Sequence, residues 1–188
     1  MLRRLRAFLR QRDGSIAVEF AFIAPLMLVL FFGLVDLAEA LGCRADVDNL
    51  ASAGADLIAQ ESQVTAADMS NVFAALSAML YPYDAAPATI TISSIVDEGV
   101  GKSPQVAWSC SQGGTPRSTG PYTFPASAAN VLTPGSGSSV ILAEVTYSYP
   151  FPVNIALGGF HLTGPIALSS SFYSKPRRVL QIPGSCPS

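Results

Sequence analysis

Apolar and polar positions divide this 188-residue chain into two regimes. From Ser15 to Val35 the only charged residue is Glu19. Twenty-one residues at about 1.5 Å each make roughly 31 Å of helix, the thickness of a bilayer core. Asp36 and Glu39 close that run. Beyond them Ala40, Cys43, Val47, Leu50, Gly54 and Leu57 recur at alternating spacings of 3 and 4. Glu39, Asp46, Asn49, Asp56 and Gln60 fall on the other side, so the pattern predicts an amphipathic helix. Residues 15–60 read as one long helix; two helices broken near Gly42 are the alternative. Pro25 and Gly33 loosen the first half without ending it, since neighbouring helices or local adjustment satisfy the groups a proline frees. A second helix is predicted over Thr65 to Leu80. Thr65-Ala-Ala-Asp68 resembles a capping box with Asp in place of Glu, and Met69, Val72, Phe73, Leu76 and Leu80 follow at helical spacing.

After Tyr81-Pro-Tyr-Asp84 the period changes to two. Strands are predicted at Thr89–Val96, Gln105–Cys110, Ser139–Tyr149, His161–Thr163, Ile166–Tyr173 and Val179–Ile182. The Gly-, Ser-, Thr- and Pro-rich stretch from Ser111 to Ser138 is too long for an ordinary connection and reads as mobile or partner-facing. The fold class is therefore α+β: a long N-terminal helix with a membrane-spanning and a periplasmic part, a second helix, and a small antiparallel β-sheet head. The expected divisions are 1–14 (basic cytoplasmic leader), 15–35 (transmembrane helix), 36–62 (its periplasmic extension) and 63–188 (head).

Composition sharpens this picture. Charged residues are 13% of the chain, against about 25% in a typical soluble domain, and the mean hydropathy is +0.39. The net charge of −2 hides an asymmetry. Residues 1–14 hold five arginines and one aspartate, +4, which leaves −2 − 4 = −6 for the rest. Arginines before an apolar run stay cytoplasmic, which predicts N-terminus in and C-terminal domain out, in a bacterial inner membrane. The acidic remainder argues against nucleic-acid binding. Three cysteines suit an oxidising compartment. A Cys110–Cys186 bond would tie down the C-terminal tail, leaving Cys43 as a small apolar filler; other pairings are possible.

The junction is more specific. Gly14 directly precedes the apolar run in Gly14-Ser-Ile-Ala-Val-Glu-Phe-Ala-Phe-Ile-Ala-Pro-Leu26. A signal peptidase expects its small residues after the apolar region; here the small residue stands before it. A cut after Gly14 would remove the leader, keep the helix and give Ser15 a free amine. This arrangement resembles the processing site of type IV prepilins. With Glu19-Phe20 and Pro25 it is similar, more narrowly, to the N-terminal signature of TadE-like proteins, which are pseudopilins or minor pilins of tight-adherence (Tad/Flp) pili. The resemblance is specific over about Asp13 to Leu41 and loose elsewhere. It implies a structural part in pilus assembly, incorporated or priming. The implied partners are the prepilin peptidase, other Tad pilins and inner-membrane platform proteins, alongside membrane lipid.

A carboxylate at the centre of a membrane helix costs about 2.5–3.5 kcal/mol on insertion scales. The resemblance implies that Glu19 pairs with the α-amine of a neighbouring subunit; the plain alternative is that it reaches back to headgroup water or Arg12. Ala17, Ala21 and Ala24, at i, i+4 and i+7, let helices approach closely in lipid. Ala40-Leu-Gly-Cys43 imitates a lipobox, but Asp36 and Glu39 separate it from the apolar run.

Little else carries chemistry. There is no G-x-S-x-G, H-E-x-x-H or C-x-x-C, and one histidine, His161. Asp97-Glu98 reads as a solvated turn, Gly135–Ser139 as another, and Lys175-Pro-Arg-Arg178 as a solubilising turn or a contact for a headgroup or acidic neighbour. Trp108, Tyr122, Phe124, Tyr147, Tyr149 and Phe151 suit a core better than a ligand platform. The sequence therefore predicts no catalytic residue, no cofactor, no metal and no small-molecule substrate. The rival readings are an uncut, signal-anchored periplasmic binding or interaction domain and a membrane-anchored enzyme.

Overall fold

The computed structural model describes residues 13–150, 155–157, 160–162 and 164–187. The leader arginines and Phe151 lie outside them. Helix α1 (Asp13–Ala59) is continuous for 47 residues, with Pro25 inside it and no break at Gly42. Helix α2 (Ala66–Met79) follows. Then come β1 (Ala88–Val96), β2 (Gln105–Gln112), β3 (Gly120–Pro121), a short 3₁₀ turn (Ala126–Ala128), β4 (Ser139–Tyr149), β5 (Ile155–Leu157), β6 (Phe160–Leu162) and β7 (Ile166–Ser174). The α+β class stands. The chain forms two compact units. One holds the chain up to Ala40 and the segment 151–164, in which β5 and β6 pair as a hairpin, Ala156 opposite His161. The other holds Leu41–Pro150 and Pro165–Ser188.

The second unit is built on an antiparallel sheet of order β3-β2-β1-β4-β7. β1 and β4 pair along nine residues, from Ala88 opposite Tyr147 to Val96 opposite Ser139. These central strands are buried on both faces, which is why they are the most β-branched segments. One face receives the two helices at Gly54 of α1. A Cβ there would lie 3.1 Å from Leu76 Cδ1 of α2, 3.6 Å from Ala143 Cβ of β4 and 3.8 Å from Ile92 Cδ1 of β1. Glycine is what allows helix, helix and sheet to meet at that point. Helix α2 starts with the full reciprocal box. The Thr65 hydroxyl accepts from the Asp68 N–H (3.2 Å), and the Asp68 carboxylate accepts from the Thr65 N–H (3.0 Å). The Thr65 hydroxyl, which also donates to that carboxylate (2.7 Å), and then the Thr65 N–H hold the Asp68 carboxyl below its usual pKa.

The opposite face carries a second core of Ile95, Val106, Tyr122, Leu132, Val140 and Leu142, flanked by Phe124, Val131 and Tyr173. Part of its cover is the long connection Ser111–Ser138, of which Tyr122, Ala128 and Leu132 are buried and most of the rest is exposed. Tyr122 is buried, its N–H donates to the Pro104 carbonyl (2.7 Å), and its hydroxyl meets that of Tyr173 (2.8 Å). Arg117 forks onto Glu144 and lies over the Tyr122 ring. Its N–H donates to the Ser109 hydroxyl (2.9 Å). Composition suggested freedom; a few large side chains spaced along a polar stretch limit it.

Two further expectations change. Val179–Ile182 is a chain of bends, not a strand. Leu180 and Ile182 make point contacts in place of a ladder: the Leu180 carbonyl accepts from the Ser139 N–H (2.8 Å) and hydroxyl (3.2 Å), and the Ile182 carbonyl from the Trp108 indole (2.8 Å). Beyond them Gly184 makes an isolated parallel bridge with Val64. The buried stripe of α1 also drifts from the alternating 3-and-4 pattern. Leu57 is 41% exposed, while Ala51, Ala55, Ile58 and Ala59 are fully buried. Read as 36, 40, 43, 47, 51, 54 and 58, the stripe advances 22 residues in six steps, or 3.67 per step, nearer the 3.6 of a straight helix than the 3.5 of the alternating pattern.

Candidate assembly site

Gly14 and Ser15 lie within α1 as described from Asp13 onward. Ser15 and Glu19 are one turn apart on the same side of the helix, since i and i+4 share a face. Glu19 and Phe20 are exposed, Phe20 at 66%. Ala17 and Ala21 are exposed, Ala24 is half-buried, and Pro25 is exposed within an unbroken helix. The structure thus brings Glu19 and Phe20 to the surface of one apolar helix, with the three alanines on a line along it. It does not gather them into a pocket. What they offer is a carboxylate, a row of small side chains and large apolar neighbours on one exposed helix.

An α-amine has a pKa of about 7.7–8.0 in water, so a new Ser15 terminus would be cationic at neutral pH. A carboxylate is its natural partner in a medium that excludes water. The apolar surface around Glu19 is such a surface, with Ile16, Phe22 and Ile23 all more than half exposed.

Elsewhere the sequence candidates take structural roles. Cys110 and Cys186 are bonded, with Cα atoms 5.3 Å apart, and Cys43 is free and fully buried. Burial, and then the nearby Asp46, push the Cys43 thiol above its ordinary pKa. Such a thiol is a packing element, which disposes of the lipobox imitation. Asp97 is not a solvated turn residue. It is buried and accepts from the Gly137 N–H (2.9 Å) and the Gly99 N–H (3.2 Å). The Gly137 bond above all holds its carboxyl below the usual range. Gly135 and Gly137 supply the positive φ values, 83° and 61°, that this turn needs. Arg177 of the Lys175–Arg178 cluster pairs with Asp56 of α1, and its N–H donates to the Ala59 carbonyl (2.9 Å). Trp108 lies flat against Gly184, where a Cβ would meet the indole at 2.5 Å. Tyr83, Tyr147 and Tyr149 form one ring cluster. No signal in the sequence distinguished Arg177 from Arg178, or Asp97 from Glu98; only tertiary partners separate them.

One hollow, of about 370 Å³, is lined by Ser77, Ala86, Ile90 and Gln112 among others, with no titratable side chain in its lining. Another, of about 220 Å³, is walled by Phe124, Leu132 and Pro134 with Asp97 and Lys102 at its edge. Among the described residues no cluster of His, Cys, Asp and Glu has the form of a metal site.

Residues 14–56 match the family model described as TadE-like protein. That span takes in nearly all of α1, from the glycine before the apolar run to the turn that contacts α2, and it is the family whose signature the sequence resembles. No curated protein and no solved structure matches the chain.

Proposed function

We propose that this chain is a structural minor pilin, or pseudopilin, of a Tad-type pilus. It is inserted with the arginine leader in the cytoplasm and the head in the periplasm, and is cut after Gly14 by a prepilin peptidase. One observation carries the reading: the TadE-like match over residues 14–56 coincides with a single helix that is apolar and exposed in its first half and packs a head in its second. That helix is long and apolar enough to cross a membrane. The work of such a protein is packing. The first half of α1 enters a bundle of like helices, Glu19 takes an amine of a neighbour, and the alanine line lets helices close in. Other Tad pilins and an inner-membrane platform protein are the partners this implies.

The test is the mass of the mature N-terminus. Protein purified from its own membrane should begin at Ser15 and carry a net charge of −6, the value the sequence leaves once residues 1–14 are removed. Replacing Gly14 with a larger residue should leave the leader attached. Retention of the arginines in the wild type would overturn the reading.

A further inference from the structure

The two edges of the five-stranded sheet are finished differently. At one edge, β3 covers Gln105 and Val106 of β2. The tail takes over from there: the Trp108 indole donates to the Ile182 carbonyl (2.8 Å), Gly184 lies against the indole ring, and Cys110 is bonded to Cys186. The ladder between β1 and β2 also shifts register between Ser94 and Ile95. A short cap strand, an irregular ladder and a fastened tail all keep an edge from pairing with a foreign strand.

The other edge has none of these. β7 pairs with β4 in one unbroken register, from Ile141 opposite Ser174 to Tyr149 opposite Ile166. Among the described residues no strand and no loop backbone bonds to its far side. Its sequence, Ile166-Ala-Leu-Ser-Ser-Ser-Phe-Tyr-Ser174, holds no charged residue and no proline. Nine residues at about 3.4 Å make roughly 30 Å of edge, along which alternate N–H and C=O groups face outward. Such an edge is a template for a further strand.

The edge also describes its occupant. A row of outward N–H and C=O groups is satisfied in series by another extended backbone. Every ladder of this sheet is antiparallel. On the side that carries the helices, Ile166 and Phe172 are 40% and 45% exposed, an apolar lip that calls for apolar side chains at every second position of the added strand. On the opposite side Ser169 and Ser171 are exposed and, with Glu144 and Thr146, line a hollow of about 220 Å³. Hydroxyl-bearing side chains suit that side, and no charge is required because Arg117 already pairs with Glu144. A second copy of β7 is a poor occupant. Antiparallel pairing of β7 with itself turns one head end for end, so the Leu41 ends of the two α1 helices point in opposite directions, and one bilayer cannot take both.

We propose that the outer edge of β7, Ile166–Ser174, is a strand-addition site for an uncharged extended segment of another polypeptide, antiparallel to β7 and apolar at every second position. The site requires only the folded head, so it stands or falls separately from the proposed function.

The experiment uses the full-length protein in detergent micelles and follows amide exchange residue by residue. The probe is a nonapeptide of alternating Thr and Val with a dilysine tail for solubility. Its control has proline in place of the central residue and cannot continue a ladder. In the free protein, alternate amides of β7 should exchange at least about tenfold faster than those bonded to β4. With the probe they should slow severalfold while the amides of β2 stay unchanged, and the proline control should protect none. Ser169→Lys with Ser171→Lys charges the edge without touching the core and should weaken the protection severalfold; the Cys110–Cys186 bond reports that its head has folded. Uniformly slow exchange across β7 before the probe is added overturns the proposal, since the chain then covers its own edge. So does no protection by the probe, equal protection by the proline control, or protection confined to β2. A reducible dimer of Ser169→Cys in membranes also overturns it, because a second copy then occupies the edge.

Discussion

Glu19 is the residue on which assembly and mere anchoring part company. Glu19→Gln keeps the size and removes the charge, so insertion into lipid should be normal or slightly better. If the carboxylate meets a subunit amine, the variant leaves that amine uncompensated. Losing one partner of a buried pair costs about 3–5 kcal/mol, some hundredfold or more in association. The expected protein is present and cut after Gly14, yet fails to co-purify with pilus components; wild-type recovery would make the carboxylate incidental. Asp97 makes a different kind of prediction. Backbone N–H groups, Gly137's first, depress its folded pKa, so its contribution is present above the ordinary carboxyl value of about 3.9 and is lost as pH falls through the depressed folded value. Melting curves from pH 7 down to pH 3 should show the wild type weakening in that acid window. Asp97→Asn should be less stable at neutral pH and lose less across the same window, Asp68 supplying the remaining slope. A wild-type slope in the variant would assign the acid sensitivity to other groups.

Among the elements, α1 was the most legible because its two halves obey simple rules: length against bilayer thickness, and apolar spacing against helical pitch. The capping box of α2 and the strands β1, β2, β4 and β7 were readable for the same reason, since local pattern and tertiary burial agree. Leu57 and Ile58 show the limit. Adjacent apolar residues both satisfy a loose helical pattern, and only the accumulated pitch from Asp36 onward selects Ile58 for the interior. The Ser111–Ser138 connection was read only in part because the order it has comes from Arg117, Tyr122 and Leu132 meeting partners on β2, β4 and β7, information no local window contains. At the site, the residues themselves stood out early, but the face each would occupy needed the continuous helix. Where α1 meets α2 and the sheet, Gly54→Leu should cost about 1–3 kcal/mol by overpacking against Leu76 and Ala143. Asn49→Ala, on the outward side, should stay within about 0.5 kcal/mol. Denaturant melts of the detergent-solubilised protein would compare them, and a neutral Gly54→Leu would mean the helices do not approach as described.

For the molecule, the closing element of the head is its tail. The Cys110–Cys186 bond spans 76 residues, nominally worth about 4 kcal/mol on the chain-entropy view. Cys186→Ser should lower head stability by about 2–5 kcal/mol, and Trp108 emission should shift as the tail leaves its indole. An unchanged midpoint would show the tail held by hydrogen bonds alone. Those bonds join the two extremes of the head: Val64 N–H to the Pro183 carbonyl (2.9 Å), Ser185 N–H to the Val64 carbonyl (3.0 Å), and Arg177 to Asp56 across 121 residues. A chain emerging from a translocation channel in sequence order delivers α1 and α2 long before residues 177–186. Until those residues arrive, Trp108 and the outer side of β2 have nothing to close against, and no cysteine partner exists for Cys110. On the proposed topology, folding of this head waits on completion of export: a chain stalled partway leaves Trp108 uncovered and Cys110 without its partner, and a chain that has passed through closes itself by oxidation.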